Sequence, residues 1–278
     1  MKILVTGANG YLGQGIVREL LNMGHIVVAT DKSCVNIDTR AHIYICNLFD
    51  IENPFEYFEK PDILLHLSWK DGFNHNSKSH LEELSKHILF IEKMCKSKIK
   101  KVVVMGSMHE IGLYDGCIDE NTPCNPLSMY GIAKNTLRQV TSLITKEYLV
   151  KFQWLRGYYI IGNVNFGSSI FSKIYRAAQN GEKEFPFTTG QNRYDFLSYE
   201  KFCNYVAITI LQDKVLGIIN ISSGKSEKIA DIVENFIKEN NLNIKLKYGV
   251  FKERPYDSKE VWGSNKLLNE VIKNATIE

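Results

Sequence analysis

Tyr130 and Lys134 open a helical pattern that continues through Leu137, Val140, Ile144 and Tyr148. Residues four apart share one face of a helix. An ammonium held beside a phenol favours the phenolate. The spacing therefore predicts a Tyr130 pKa below the usual value of about 10, and a phenol that gives or takes a proton near neutral pH. Ser107 closes the run Val102-Val103-Val104-Met105-Gly106, and its hydroxyl can reach the same point. Such a pair also occurs by chance on ordinary helix surfaces, so the surrounding elements must decide its meaning.

The N-terminus supplies the first of them. Ile3-Leu4-Val5 reads as a buried strand, and Gly7-Ala8-Asn9-Gly10-Tyr11-Leu12-Gly13 follows at once. A helix with Ile16, Val17, Leu20 and Leu21 on its apolar side comes next, then the strand Ile26-Val27-Val28-Ala29. Glycines at Gly7, Gly10 and Gly13 suit a tight turn, the approach of a pyrophosphate to the backbone, and close helix–strand packing. Helix N-terminal amides, here near Tyr11 and Leu12, then face the phosphates. Asp31 ends the second strand, where a carboxylate accepts hydrogen bonds from an adenosine ribose and repels a 2′-phosphate. That favours NAD(H); Lys32 beside it keeps NADP(H) open, and a plain turn role for Asp31 is the alternative.

Further strands are expected at Ile43–Cys46, Ile63–Leu67, Val102–Ser107 and Phe152–Leu155. Asn47-Leu48 and Leu67-Ser68-Trp69 lie at strand ends, where an open α/β sheet binds its ligand. His66 reads as a packing histidine. Apolar residues at Leu81, Leu84, Ile88, Ile91 and Cys95 predict one amphipathic helix, and the stretch from Tyr114 to Met129 reads as loop. This alternation implies an α/β protein, a Rossmann-type doubly wound parallel sheet with a smaller interleaved α/β cap. The expected division is residues 1–157 with 196–222 for the dinucleotide domain, and 158–195 with 223–278 for the cap.

Composition narrows the function. A net charge of +3 and no long basic run give no support to nucleic acid or membrane binding. The six cysteines are scattered, which fits reduced thiols in a cytoplasmic protein, and all seven histidines lie at or before His109 without metal-ligand spacing. No metal site and no membrane span are expected.

Glycine turn, acidic second strand, Ser107, and Tyr130 with Lys134 occur in that order. Together with Asp119-Glu120-Asn121-Thr122-Pro123, Arg193-Tyr194-Asp195-Phe196, Asn220-Ile221-Ser222-Ser223-Gly224 and Arg254-Pro255, they resemble the extended short-chain dehydrogenase/reductase superfamily, in its NAD-dependent epimerase/dehydratase group. That resemblance implies a nucleotide-sugar substrate carried on GDP, dTDP, CDP or UDP, and a homodimer. It makes Tyr130 the acid/base and Lys134 the holder of the nicotinamide ribose. Ser107 would bond the reacting oxygen, and Arg193 and Arg254 would meet the substrate or its diphosphate. Either arginine has a surface ion pair as its alternative.

Departures from the pattern restrict the reaction. The Asp-Glu pair of the dehydratases is replaced by Met108 and His109, and no histidine follows Asn163-Val164 to complete a two-base epimerisation. His109 reads as a wall of the substrate site, and Tyr159 stands where the 4-epimerases keep an asparagine. Hydride transfer to a carbonyl remains. The expectation is a reductase of a nucleotide-activated 4-keto deoxy sugar for surface polysaccharide synthesis. A 4-epimerase with tightly bound NAD is the nearest rival, and a cofactor-sensing regulator without turnover is another.

Overall fold

The computed structural model describes residues 1–252 and 257–277, the side chains of 276 and 277 excepted. The first strands are β1 (Lys2–Thr6), β2 (Ile26–Asp31), β3 (His42–Ile45), β4 (Ile63–His66) and β5 (Lys101–Ser107). After them come β6 (Gly116–Ile118), β7 (Lys151–Gly157), β8 (Tyr159–Ile161), β9 (Glu184–Pro186) and β10 (Arg193–Tyr194). The last are β11 (Phe196–Ser198), β12 (Gly217–Ile221), β13 (Glu227–Lys228), β14 (Lys245–Lys247) and β15 (Glu260–Gly263). The helices are α1 (Gly13–Asn22), α2 (Pro54–Tyr57), α3 (Ser79–Glu82), α4 (Leu84–Lys96) and α5 (Met129–Glu147). Four more follow: α6 (Ile170–Gln179), α7 (Tyr199–Leu211), α8 (Ile229–Glu239) and α9 (Lys266–Ile277).

Seven parallel strands form the central sheet in the order β12-β7-β5-β4-β1-β2-β3. Its inner strands are covered on both faces, which is why Leu4, Val5, Leu64, Leu65, Val103 and Val104 run apolar without alternation. One face packs on α1, α7 and α9 through Ile16, Leu20, Val206 and Val271; the other packs on α4 and α5 through Phe90, Ile91, Met94 and Leu137. The strand order reverses between β1 and β4, so the ligand crevice opens at their carboxyl ends.

The cap surrounds a third core that includes Ile118, Phe171, Ile174, Tyr194, Phe196, Val233 and Val261. Four strands, β13-β10-β15-β6, form its main sheet, and β8–β11 and β9–β14 are parallel pairs. The buried Asp195 carboxylate joins its segments by accepting from the amides of Ser223 (2.7 Å), Gly224 (3.1 Å) and Gly263 (3.2 Å).

Two expectations change. The helix expected from Leu81 to Cys95 is two, α3 and α4, broken at Glu83. Leu81 is exposed while His80 and His87 are buried, so polar residues hold part of the inward face. The stretch from 114 to 129 contains β6, which pairs with β15 far along the chain. Among the described residues no helix is long and apolar enough to cross a membrane.

Candidate active site

The turn after β1 is shaped by its glycines. Gly7 sits at φ +69°, a Cβ there would come within 2.7 Å of Ser68 N, and one on Gly13 would collide with Gly7 O. Gly10 N–H donates to Gly7 O at 3.1 Å. Helix α1 then starts with no side-chain cap from Leu12; in its first turn Gln14 N–H donates to Gly10 O at 3.3 Å and Gly15 N–H to the Tyr199 hydroxyl at 2.9 Å. Asp31 is held at the end of β2: its Oδ2 accepts from Asn9 N (3.0 Å) and its Oδ1 from Lys32 N (2.6 Å). Leu67 N and Ser68 N donate to Thr6 Oγ1, which fixes the β4 exit beside the turn. A glycine turn with no room for side chains at Gly7 and Gly13, leading directly into a helix, and a fixed carboxylate together fit a dinucleotide.

Asn47 Nδ2 donates to Asp50 Oδ2 at 2.9 Å, and Leu48 is buried in the core beside β4. Tyr11 turns its hydroxyl away from the glycine turn to donate to Gly162 O (2.9 Å), and Leu12 packs on the core.

At the end of β5 the chain makes one 3-10 turn, Met108–Glu110, whose His109 N–H donates to Ser107 Oγ at 3.3 Å. Helix α5 starts against it. Ser128 caps that helix by accepting from Gly131 N (3.1 Å), and a Cβ on Gly131 would collide with His109 O. This packing brings the Tyr130 phenol within the influence of the Ser107 hydroxyl, which favours the phenolate. Lys134 Nζ donates to Met105 O at 2.9 Å and stands 3.9 Å from the Trp69 ring centre and 5.9 Å from that of Tyr130.

The expected depression of the tyrosine pKa is not what the structure shows. Burial, aided by the Glu110 carboxylate and opposed by the Ser107 hydroxyl, pushes the Tyr130 phenol up to about 12. Burial also draws Lys134 down to about 7, against the pull of Glu110. The ammonium faces an indole and a carbonyl rather than the phenol, so desolvation outweighs the pairing that spacing alone suggested.

Histidines surround this centre. His75 stacks on Tyr130 (5.0 Å, 11°) and meets His109 edge-on at 4.3 Å, and Tyr130 N–H donates to His75 O at 2.9 Å. His109 also faces Tyr159, which stacks on Tyr194 at 4.6 Å. Met108 is buried in the cap core. Below the centre, Glu110 and Arg156 form a fully buried ion pair at 2.5 Å, and Trp154 Nε1 donates to the same carboxylate.

Arg193 is not brought to this group. Its side chain is exposed and bonds Glu260 and the Ser226 carbonyl, while its neighbour Tyr194 faces inward. Arg254 lies outside the described residues. Sequence reasoning missed His75, His80, His87, Tyr194 and the Glu110–Arg156 pair. The one available signal was Arg156 itself, a charge inside the apolar strand Trp154-Leu155, which demands a buried partner.

The comparisons agree with this geometry. The model of the NAD dependent epimerase/dehydratase family matches residues 3–222. A dTDP-6-deoxy-L-talose 4-dehydrogenase (NAD(+)) of Aggregatibacter actinomycetemcomitans is 42% identical over 272 residues, covering 95% of this chain and 100% of that protein. A UDP-glucose 4-epimerase of Lactobacillus helveticus is 25% identical, over 77% of this chain and 70% of its own. Among solved structures, the UDP-N-acetylglucosamine 4-epimerase of Methanobrevibacter ruminantium M1 superposes with TM-score 0.85 at 20% identity, over 97% of this chain and 91% of that one. The UDP-glucose 4-epimerase of Thermotoga maritima gives 0.83 at 18%, over 97% and 92%. With the glycine turn, Asp31 and the Ser107–Tyr130–Lys134 group at the mouth of a seven-stranded parallel sheet, the chain belongs to the NAD-dependent epimerase/dehydratase family.

Proposed function

We propose that this chain transfers a hydride at C4 of a nucleotide-activated 6-deoxyhexose, interconverting the 4-keto and 4-hydroxy sugars, with ketone reduction as the working direction in the cytoplasm. The observation that carries the reading is the packing of the start of α5 on the end of β5, which sets Tyr130 beside Ser107 with Lys134 Nζ 5.9 Å from its ring centre, and with Met108 and His109 in place of an acidic pair. When bound, NAD(H) supplies or accepts the hydride. Tyr130 gives its proton to the developing alkoxide, and Ser107 donates a hydrogen bond to the same oxygen. Lys134 holds the cofactor ribose and keeps a positive charge near the phenol. Asp31 selects NAD(H) by accepting from the ribose hydroxyls.

The 42% identical relative is named for the oxidation of a dTDP-6-deoxy sugar at position 4, and run backwards that reaction is the ketone reduction. That name supports dTDP among the four carriers. The same reading includes a homodimer built on the outer faces of α4 and α5. A 4-epimerase is the second reading, favoured by the folds of the solved neighbours.

The test is NADH formation from dTDP-6-deoxy-L-talose with NAD+, and NADH consumption by the corresponding 4-keto sugar. One cofactor per product is expected; 4-epimer formed with only trace NAD and no net NADH overturns the reading.

A further inference from the structure

Trp69 follows β4 and stands between the dinucleotide crevice and the helix that carries Lys134. Its ring lies beneath the Lys134 ammonium at 3.9 Å. Three neighbours fix that ring. Its Nε1–H donates to His80 Nδ1 at 3.0 Å, which places the His80 proton on Nε2, and that proton goes to Asn74 O at 2.8 Å. His87 stacks on it at 4.7 Å and 19°, His80 lies nearly parallel at 6.0 Å and 17°, and Tyr130 meets it edge-on at 6.1 Å. An indole locked in this way offers a negative ring face without a full charge.

We infer that Trp69, oriented by His80, is a positioning residue: it seats the Lys134 ammonium through its ring face and keeps it charged and directed at the bound cofactor. The inference rests on the assignment of Lys134 to the cofactor. A desolvated ammonium needs a compensating partner, and the groups near Lys134 supply little formal charge. Met105 O takes one of its three protons. His66 on β4 and His87 on α4 are kept neutral, and Tyr130 on its own helix is kept a phenol. Among the described residues Glu110, on the turn after β5, is the carboxylate that acts on it, and Arg156 pairs with that carboxylate. The Trp69 face is the contact that stabilises the cation without quenching it, and so leaves N–H groups for a ribose hydroxyl. Burial alone draws this lysine toward neutrality near pH 7, so the seat decides whether it is charged at working pH.

The experiment measures NADH affinity against pH, without sugar, in the full chain and in Trp69→Phe and Trp69→Leu. The affinity of the parent should fall as pH rises through the Lys134 pKa. That midpoint should move down in the order Trp, Phe, Leu, by about one unit for Trp69→Leu, with affinity at neutral pH about tenfold weaker, the scale of one desolvated cation–π contact. His80→Leu should lower it partway, and His80→Gln, which still offers an acceptor to the indole, should restore it. If Trp69→Leu does not fold, Trp69→Phe decides, because it keeps a packed ring while weakening its face. Folded variants with the parent midpoint overturn the inference. A parent that binds NADH yet does not turn over the sugars overturns the proposed reaction instead.

Discussion

Burial pushes Tyr130 and Lys134 each toward its neutral form, one up and one down, so the proposed catalytic pair is a phenol beside an ammonium that gives up its proton easily. A phenol in that state is a proton donor to an alkoxide, which is the need of ketone reduction. Tyr130→Phe should lower kcat by about 10²–10⁴-fold, measured by NADH consumption, while NADH affinity stays near that of the parent. The buried chain beside it has its own pH signature. Thr6 Oγ1 accepts from Leu67 N and Ser68 N and therefore spends its proton on His66 Nδ1 (2.9 Å); His66 Nε2–H then donates to His87 Nδ1 (2.8 Å). Burial, with the nearby Lys134, lowers His66 to about 3, and burial with His66 and Lys134 lowers His87 to about 2. Below the usual histidine value of about 6.5 the unfolded chain binds protons that the folded chain refuses. Stability is therefore lost as pH falls from there, by about 1.4 kcal/mol per unit for each histidine. Chemical denaturation between pH 6.5 and 4.5 should show a shallower loss in His87→Leu than in the parent. The packing role of His66 was legible in its strand; its partner, twenty-one residues on, was not, because one imidazole on a helix carries no mark of the strand it will meet.

The element that makes the site is the junction of β5 and α5. Gly131 lets the first turn of α5 rest on His109 O, and the turn is tied down from the other side by Glu110 through Arg156 and Trp154. Gly131→Ala should cost about 1–3 kcal/mol in denaturant unfolding, and it should lower kcat more than it weakens NADH binding, since Tyr130 is the neighbour displaced. The alternating strands and helices of the central sheet were legible because each strand is an apolar run and each long helix an apolar stripe. The cap was read less fully. Strands β6, β10, β13 and β15 have two to four residues, too few to show a period, and they exist through pairings between distant segments, such as Val261 with Gly116. Arg193 was misplaced for the same reason: in β10 the inward position belongs to Tyr194, and a two-residue strand does not announce its face.

At the scale of the molecule, the outer faces of α4 and α5 carry exposed Leu89 (56%), Ile132 (45%) and Leu143 (69%), and Ile132 and Leu143 lie along one face of α5. Light scattering should find twice the chain mass, and Leu143→Glu should give a monomer whose unfolding midpoint at low concentration matches the parent, because that side chain is solvent-exposed within a single chain. Tyr11 has a different reach. Its carbonyl accepts from Asn163 Nδ2 (3.1 Å) and Tyr199 OH (2.7 Å), its own hydroxyl holds Gly162 O, and Tyr199 OH also accepts from Gly15 N (2.9 Å). The glycine turn is written in the first thirteen residues, yet it is fastened by residues that leave the ribosome some 150 to 190 positions later. A nascent chain halted after β7 has the whole cofactor motif and none of these ties, so the ability to hold NAD arrives late in synthesis.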